Sequence, residues 1–319
     1  MPPAFVHRIT KYDPADRDEH GHYTGTEDTA GDCGSVEAAY LAAVSAFAEE
    51  SGVDRLEIRD PEVRGFVHFG AEPPVAGHGL GGLFPPDLTG YHDGAEVSLP
   101  VALELVRAML RDQGAWCRLE AGDAFTVHVG WDQYVYVGSD RSCAGAVART
   151  RELGLFPEPL TASPYAAESD EAEVTEPADA GFWTRVRTAL ASRHALLLEE
   201  NHVRNAARWH RITPENLDTV RAGLGPRALL RVWPDLTPDV GAVLAALSDE
   251  EESVEFVWEA QDGTISHVIV DDTGTGHREL AARVADARAA CVLPLSYDGH
   301  RPLLCAVLPD SDGVLRARW

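Results

Sequence analysis

Apolar positions recur at helical spacing over residues 36–50, where Val36, Tyr40, Val44 and Phe47 share one face and Ser35 stands as N-cap. The pattern predicts a helix there, after a short strand at Phe5–Ile9 and a long polar loop. Two short strands follow, Leu56–Ile58 and Gly65–Phe69, then a Pro- and Gly-rich loop over Glu72–Gly94. A second helix starts near Pro100, with Val101, Leu105 and Met109 on one stripe. Strict alternation then predicts a meander of Ala115–Leu119, Phe125–Trp131 and Tyr134–Val137, closed by a helix at Ala144–Leu153. Alternation also places Tyr134 and Tyr136 on the same face.

The stretch from Pro164 to Asp179 is acidic, rich in small residues and aperiodic, as a solvated linker would be. Beyond it the spacing predicts helices from Phe182 to about Leu224. Strands at Leu229–Val232, Val254–Trp258 and Ile265–Val270 follow, with a helix from Pro238. A helix at Arg278–Ala290 and strands at Val292–Leu295, Leu303–Leu308 and Val314–Arg318 complete the pattern. Helices interleave with hairpins in both halves. The expected fold class is therefore α+β, in two domains, each with helices packed on a mainly antiparallel sheet. The expected division is an acidic domain 1–163, an acidic linker 164–179, and a domain 180–319 whose N-terminal part is basic and helical.

Charge sharpens that division. The net charge is −25 over 319 residues. Residues 1–168 hold 12 Arg plus Lys against 27 Asp plus Glu, a balance of −15. Residues 169–179 add −5, whereas residues 180–231 carry nine Arg against four acids, about +5. An acidic chain repels nucleic acid and anionic membrane unless its charge is segregated in this way. No apolar run reaches the roughly 18 residues needed to span a bilayer. The opening residues lack the pattern of a secretory signal, and the five cysteines include no CxxC. The expected location is the cytoplasm, with reduced thiols.

Several segments carry candidate chemistry. Gly77, Gly79 and Gly82 match GxGxxG, but Pro73-Pro74 precede them and Pro85-Pro86 follow, so a loop is expected rather than a dinucleotide site. In DRDEHGHYTGTE, residues Asp16, Asp18, Gly21 and Glu27 fit the spacing of a calcium loop, with His20 where an oxygen ligand belongs. His20 and His22 would suit a transition metal instead. No cofactor is expected beyond a divalent metal at that loop; the alternative is a solvated surface loop. Val6-His7, Val67-His68 and Val127-His128 place three histidines on expected strands, where they converge on one site or sit singly on half-exposed faces. No GxSxG, HExxH or P-loop is present.

Arg204, Arg208 and Arg211 recur at i, i+4 and i+7, which on a helix makes one guanidinium stripe beside Trp209 and His210. Arginine suits phosphate, and an aromatic plane stacks on an unpaired base. The alternative is internal ion pairing with acids such as Asp249–Glu252, the linker or the first domain.

The segments FVHRITKYDPADRDEHGHYTG, VEAAYLAAVSAFAEESGVDRLEIRDP and GWDQYVYVGSD resemble an uncharacterised, Streptomyces-like actinobacterial family whose members are catalogued as RNA-binding proteins. The resemblance covers roughly the first half of the chain and much of the second. It brings no active-site residues with it. Together with the arginine stripe it implies a non-enzymatic, cytoplasmic binding or regulatory protein with RNA as its ligand. A protein-interaction module, immunity-like or adaptor-like, using the acidic first domain against a basic protein partner, is the rival reading. A metal-dependent enzyme with a His/carboxylate site in the first domain is the third.

Overall fold

The computed structural model describes the chain except residues 1–2, 21, 26–33, 65–75, 131–133, 165–175, 248–253, 271–273, 295–300 and 318, and the side chains of 274–278 and 294. The fold is α+β, and every ladder whose register is defined is antiparallel. Two compact units form. The first is Met1–Ala172 with Val203–Ala206 and Arg318, and the second is Glu173–His202 with Ala207–Ala317 and Trp319.

The first unit contains β1 (Phe5–Thr10), α1 (Ser35–Ser51), β2 (Arg55–Val63), β3 (Glu96–Ser98), α2 (Leu99–Leu110), β4 (Ala115–Ala121), β5 (Phe125–Val129), β6 (Val135–Ser139), α3 (Ala144–Glu152) and β7 (Phe156–Leu160). Its seven strands form one sheet in the order β3-β2-β4-β5-β6-β1-β7. Alternate residues, Ile58, Cys117, Leu119, Phe125, Val127, Val137 and Ile9, join one core with α1, α2 and the start of α3. α1 is held to α2 by Glu37, which is buried and receives Arg107 Nε at 2.9 Å and Arg111 Nε at 2.6 Å. α1 ends at Gly52, whose left-handed backbone (φ 74°) caps the helix without a Cβ clash.

The sequence pattern misses β3 and β7. β3 is too short to show alternation, and β7 reads FPEPL, whose prolines argue against a strand. They are tolerated because β7 lies at the sheet edge, where a missing N–H breaks no ladder. The expected strand Gly65–Phe69 lies outside the described residues.

The second unit contains α4 (Ala180–Arg193), β8 (Leu196–Val203), β9 (Ala206–Ile212), α5 (Leu217–Gly223), β10 (Leu229–Pro234), α6 (Val240–Ala245), β11 (Val254–Glu259), β12 (Ile265–Val270), α7 (Gly274–Arg283), β13 (Ala289–Pro294) and β14 (Leu304–Val307). Strands β14-β10-β8-β9 form one sheet and β12-β11-β13 another. Leu196, Leu198, Leu230 and Val232 pack on Phe182, Trp183 and Val186 of α4 and Leu217 of α5. Leu197, Trp209 and Trp233 meet Val257, Ala289 and Leu293 between the two sheets. Phe256, Trp258 and Ala290 face α7 and α6. The unit is thus layered helix, sheet, sheet, helix.

Three expectations are corrected here. The helical run from Phe182 to Leu224 is instead α4, the β8–β9 hairpin and α5. Asn205 makes the hairpin turn with φ 64°, a conformation asparagine tolerates. β8 is buried along its whole length, so it shows no alternation to separate it from a buried helix. The expected helix Arg278–Ala290 starts earlier and ends at Arg283, because Ala289–Pro294 pairs with β11 despite an alanine-rich start. Residues 314–317, expected as a strand, form none.

Candidate functional site

The arginine segment is the first test of function, and its geometry differs from the helical stripe. β9 alternates, so Arg208 and His210 face one side while Trp209 and Arg211 face the other. Arg204 sits at the hairpin turn, among the residues that cluster with the first unit. Trp209 is only 7% exposed and belongs to the core between the sheets. Arg211 is bidentate to Asp235, at 2.8 and 2.7 Å, and also reaches Glu259 at 3.1 Å. Arg208 lies 3.7 Å from Glu200, and His210 Nε2 donates to Glu200 Oε2 at 2.7 Å.

Glu200 and its neighbour Glu199 organise this hairpin, and sequence reading did not single them out. Glu200 has no exposed surface, and Gly225 N–H also donates to it, at 2.7 Å. Burial alone would raise its pKa. The hydrogen bonds from His210 and Gly225, with the charges of His210 and Arg208, outweigh burial and hold the carboxyl below its ordinary value. Glu199 points to the opposite face, where Arg231 Nη1 (2.7 Å) and Trp233 Nε1 (2.8 Å) donate to it. Two adjacent glutamates read as a solvated pair in sequence; the only signal against that is the apolar run Leu196–Leu198 directly before them.

The candidate metal loop is closed by the Asp18 carboxylate and the Asp16 backbone carbonyl. Asp18 Oδ1 accepts the backbone N–H of His20 (2.9 Å) and His22 (2.8 Å), and the Asp16 carbonyl accepts from Thr24 N–H at 2.8 Å. Among the described residues no three His, Cys, Asp or Glu side chains come together as metal ligands. Glu27 and Gly21 lie outside the described residues.

His7 and His128 do not converge. His7 lies against Phe47 of α1, with ring centroids 5.3 Å apart, on the helix-covered face of the sheet. His128 lies on the opposite face, edge-on to Trp116 at 5.6 Å. His68 is outside the described residues. The register instead places His128 in a row that crosses the sheet: Arg59, Arg118, His128, Tyr136, Arg8 and Glu158 are successive cross-strand partners. Burial, then the Arg118 charge, pushes the His128 imidazole down to about 4, against a smaller opposing effect of Asp60. Arg118 is paired with Asp60 at 2.6 Å, and Arg8 and Arg17 both reach Glu158, at 3.0 and 2.8 Å. Arg8 also stacks over Tyr134, 5.4 Å from the ring centre.

An open pocket of about 370 Å³ lies at the N-terminal end of α1, lined by Lys11, Tyr12, Tyr23, Ser35, Val36 and Leu155. Lys11 is the chain's one lysine. Its ammonium sits 5.2 Å from the Tyr12 ring centre, and its backbone N–H donates to Tyr40 Oη at 2.9 Å.

The wider electrostatic pattern follows from these pairs. Of the 12 Arg and Lys residues through Glu168, at least nine lie within 4.0 Å of a carboxylate: Arg8, Arg17, Arg55, Arg59, Arg64, Arg107, Arg111, Arg118 and Arg149. Among the described residues at least these nine cations are engaged internally, within a segment whose formal balance is −15. Among the described residues no helix is long and apolar enough to cross a membrane. No protein-family model, curated protein or solved structure matches the chain.

Proposed function

We propose that the chain is a cytoplasmic, non-enzymatic protein-interaction module whose partner is a basic protein. The observation that carries this reading is the engagement of the first unit's arginines by internal carboxylates, which leaves the acidic surplus to face solvent and partner. Such a surface accelerates encounter with a cationic partner and opposes polyanions. RNA is the less favoured ligand. It would have to take Arg208 and Arg211 from Glu200, Asp235 and Glu259, and to stack on a tryptophan that lies in the core.

The test is co-purification with the full chain from native lysate, read for protein and for RNA, followed by binding kinetics of whatever is captured. The expected result is a protein of basic isoelectric point whose on-rate falls steeply as salt rises. Nuclease-sensitive capture of RNA, or an acidic partner whose association ignores salt, would overturn the reading.

A further inference from the structure

The pocket beside α1 is built from three segments of the first unit. Lys11, Tyr12 and Tyr23 come from the chain that follows β1. Ser35 and Val36 come from the first turn of α1, and Leu153 and Leu155 from the turn between α3 and β7. Leu155 is 3% exposed and lies at the floor, whereas Leu153, at 37%, stands at the rim. A volume of about 370 Å³ is that of a small-molecule site, and such sites combine a largely apolar lining with a few convergent polar groups.

Among the described residues the lining holds one cation, Lys11, and no Asp or Glu, in a segment whose formal balance is −15. Lys11 is also the one position where the chain carries lysine rather than arginine. An ammonium is a compact point charge with three rotatable donors, so it imposes no bidentate geometry on an anion. Its Nζ lies 5.2 Å from the centre of the Tyr12 ring, and that ring meets Tyr23 with centroids 4.6 Å apart. The ammonium and the two tyrosines thus form one wall. Loss of hydration, then the charge of Asp16, raises the Tyr23 pKa, which keeps its hydroxyl protonated. Val36, Ala39 and Leu155 supply aliphatic surface to the same space.

We propose that this pocket binds a small monocarboxylate with an apolar body. Its carboxylate is held by the Lys11 ammonium with the Tyr23 and Ser35 hydroxyls, and its body lies against Tyr12, Val36 and Leu155. Charge-assisted hydrogen bonds fix one end of the ligand, and burial of the other end supplies the remaining affinity. Charge limits the ligand to one negative group. The described lining offers a single cation, and Asp16 and Asp13 act electrostatically on Tyr23, so a polyphosphate would meet more repulsion than attraction. The site does not depend on the cationic partner proposed above.

The single lysine supplies the test. Lysine-selective nitrogen-15 labelling of the full chain gives one backbone amide signal, that of Lys11, whose N–H donates to Tyr40 Oη at 2.9 Å. Phenylacetate is the probe, phenylacetamide its uncharged counterpart and inorganic phosphate the competitor. Phenylacetate should move the signal saturably, with the millimolar dissociation constant that about ten non-hydrogen atoms support. Phenylacetamide should bind at least about tenfold more weakly. Ligand-observed resonance then follows two variants. Lys11→Gln and Leu153→Glu should each weaken phenylacetate at least about tenfold at an unchanged melting temperature. Leu153 stands at the surface, so the second variant spares the core and sets a repelling charge at the rim. No saturable shift at tens of millimolar phenylacetate overturns the proposal. So does equal binding of the acid and the amide, phosphate that displaces phenylacetate at a lower concentration, or a Lys11→Gln chain that binds as the wild type does.

Discussion

His210 Nε2 and Glu200 Oε2 lie 2.7 Å apart, joining neighbouring strands of the β8–β9 hairpin on the face toward α4 and α5. The carboxylate is buried and the imidazole partly exposed, so the acid is desolvated while its partner still reaches water. A buried carboxylate persists only when its lone pairs are filled, and Gly225 N–H fills a further one. A Cβ at 225 would lie 3.2 Å from both Glu200 Oε1 and His202 Cβ, so a side chain there would push its neighbours aside by a few tenths of an ångström.

Glu200→Ala should therefore strip His210, Arg208 and Gly225 N–H of a shared acceptor. The expected loss is about 1–3 kcal/mol of stability, because the buried charge is itself removed and the cations left behind still reach water. Glu200→Gln should cost less, since an amide still accepts. Urea titration of the two variants checks the order.

Trp209→Ala should act on folding. The ring is packed with Trp233, Leu236 and Val257, so its removal leaves a cavity worth about 3–5 kcal/mol. The measurement is the denaturant midpoint. A midpoint equal to that of the wild-type chain would place the ring outside the core and restore it as a stacking group.

Acid should weaken the fold in two stages. His128 is held neutral, its pKa lowered from 6.5 to about 4. As pH falls from 6.5 toward 4, the unfolded chain takes up a proton that the folded chain refuses, so stability drops by up to about 3 kcal/mol. His7, lowered by burial and then by Arg151, moves the same way. Glu37 is held below 4.5 by the Arg111 hydrogen bond foremost, and Glu200 is also lowered. Their stabilisation is complete above the unfolded value and is lost as pH falls through the lower folded one. His128→Phe should remove most of the first stage and leave the second. Melting temperatures at pH 7, 5.5 and 4 separate the two.

Millimolar calcium, zinc or manganese should leave the melting temperature unchanged, because Asp18 is already engaged by the amides of His20 and His22. Asp18→Ala should lower it slightly by opening that turn. A metal-dependent rise that disappears with Asp16→Ala and Glu27→Ala together would restore the ion site.

Much of the fold is legible in the chain because amphipathic periodicity and local turn chemistry suffice for it. The faces of α1 and α2 follow from residues at helical spacing, and β5 from Phe125, Val127 and Val129. The α+β class follows from the interleaving of those patterns. Where the pattern failed, a different physics operates. The three arginines of 204–211 have helical spacing, yet two strands and an Asn205 turn hold them.

By itself the sequence determined the acidic surplus, the antiparallel α+β character and the elements with one exposed face. Only the tertiary structure decided the rest. β8 is sealed on both faces, and β3, β7 and β13 exist through pairing with neighbours distant in the chain. Tertiary packing also separated His7 from His128, assembled the row from Arg59 to Glu158, and gave Glu199 and Glu200 opposite partners. Periodicity reports a contrast between a residue's two sides. A strand buried on both sides, or a charge whose partner lies more than twenty residues away, leaves no such contrast in the sequence.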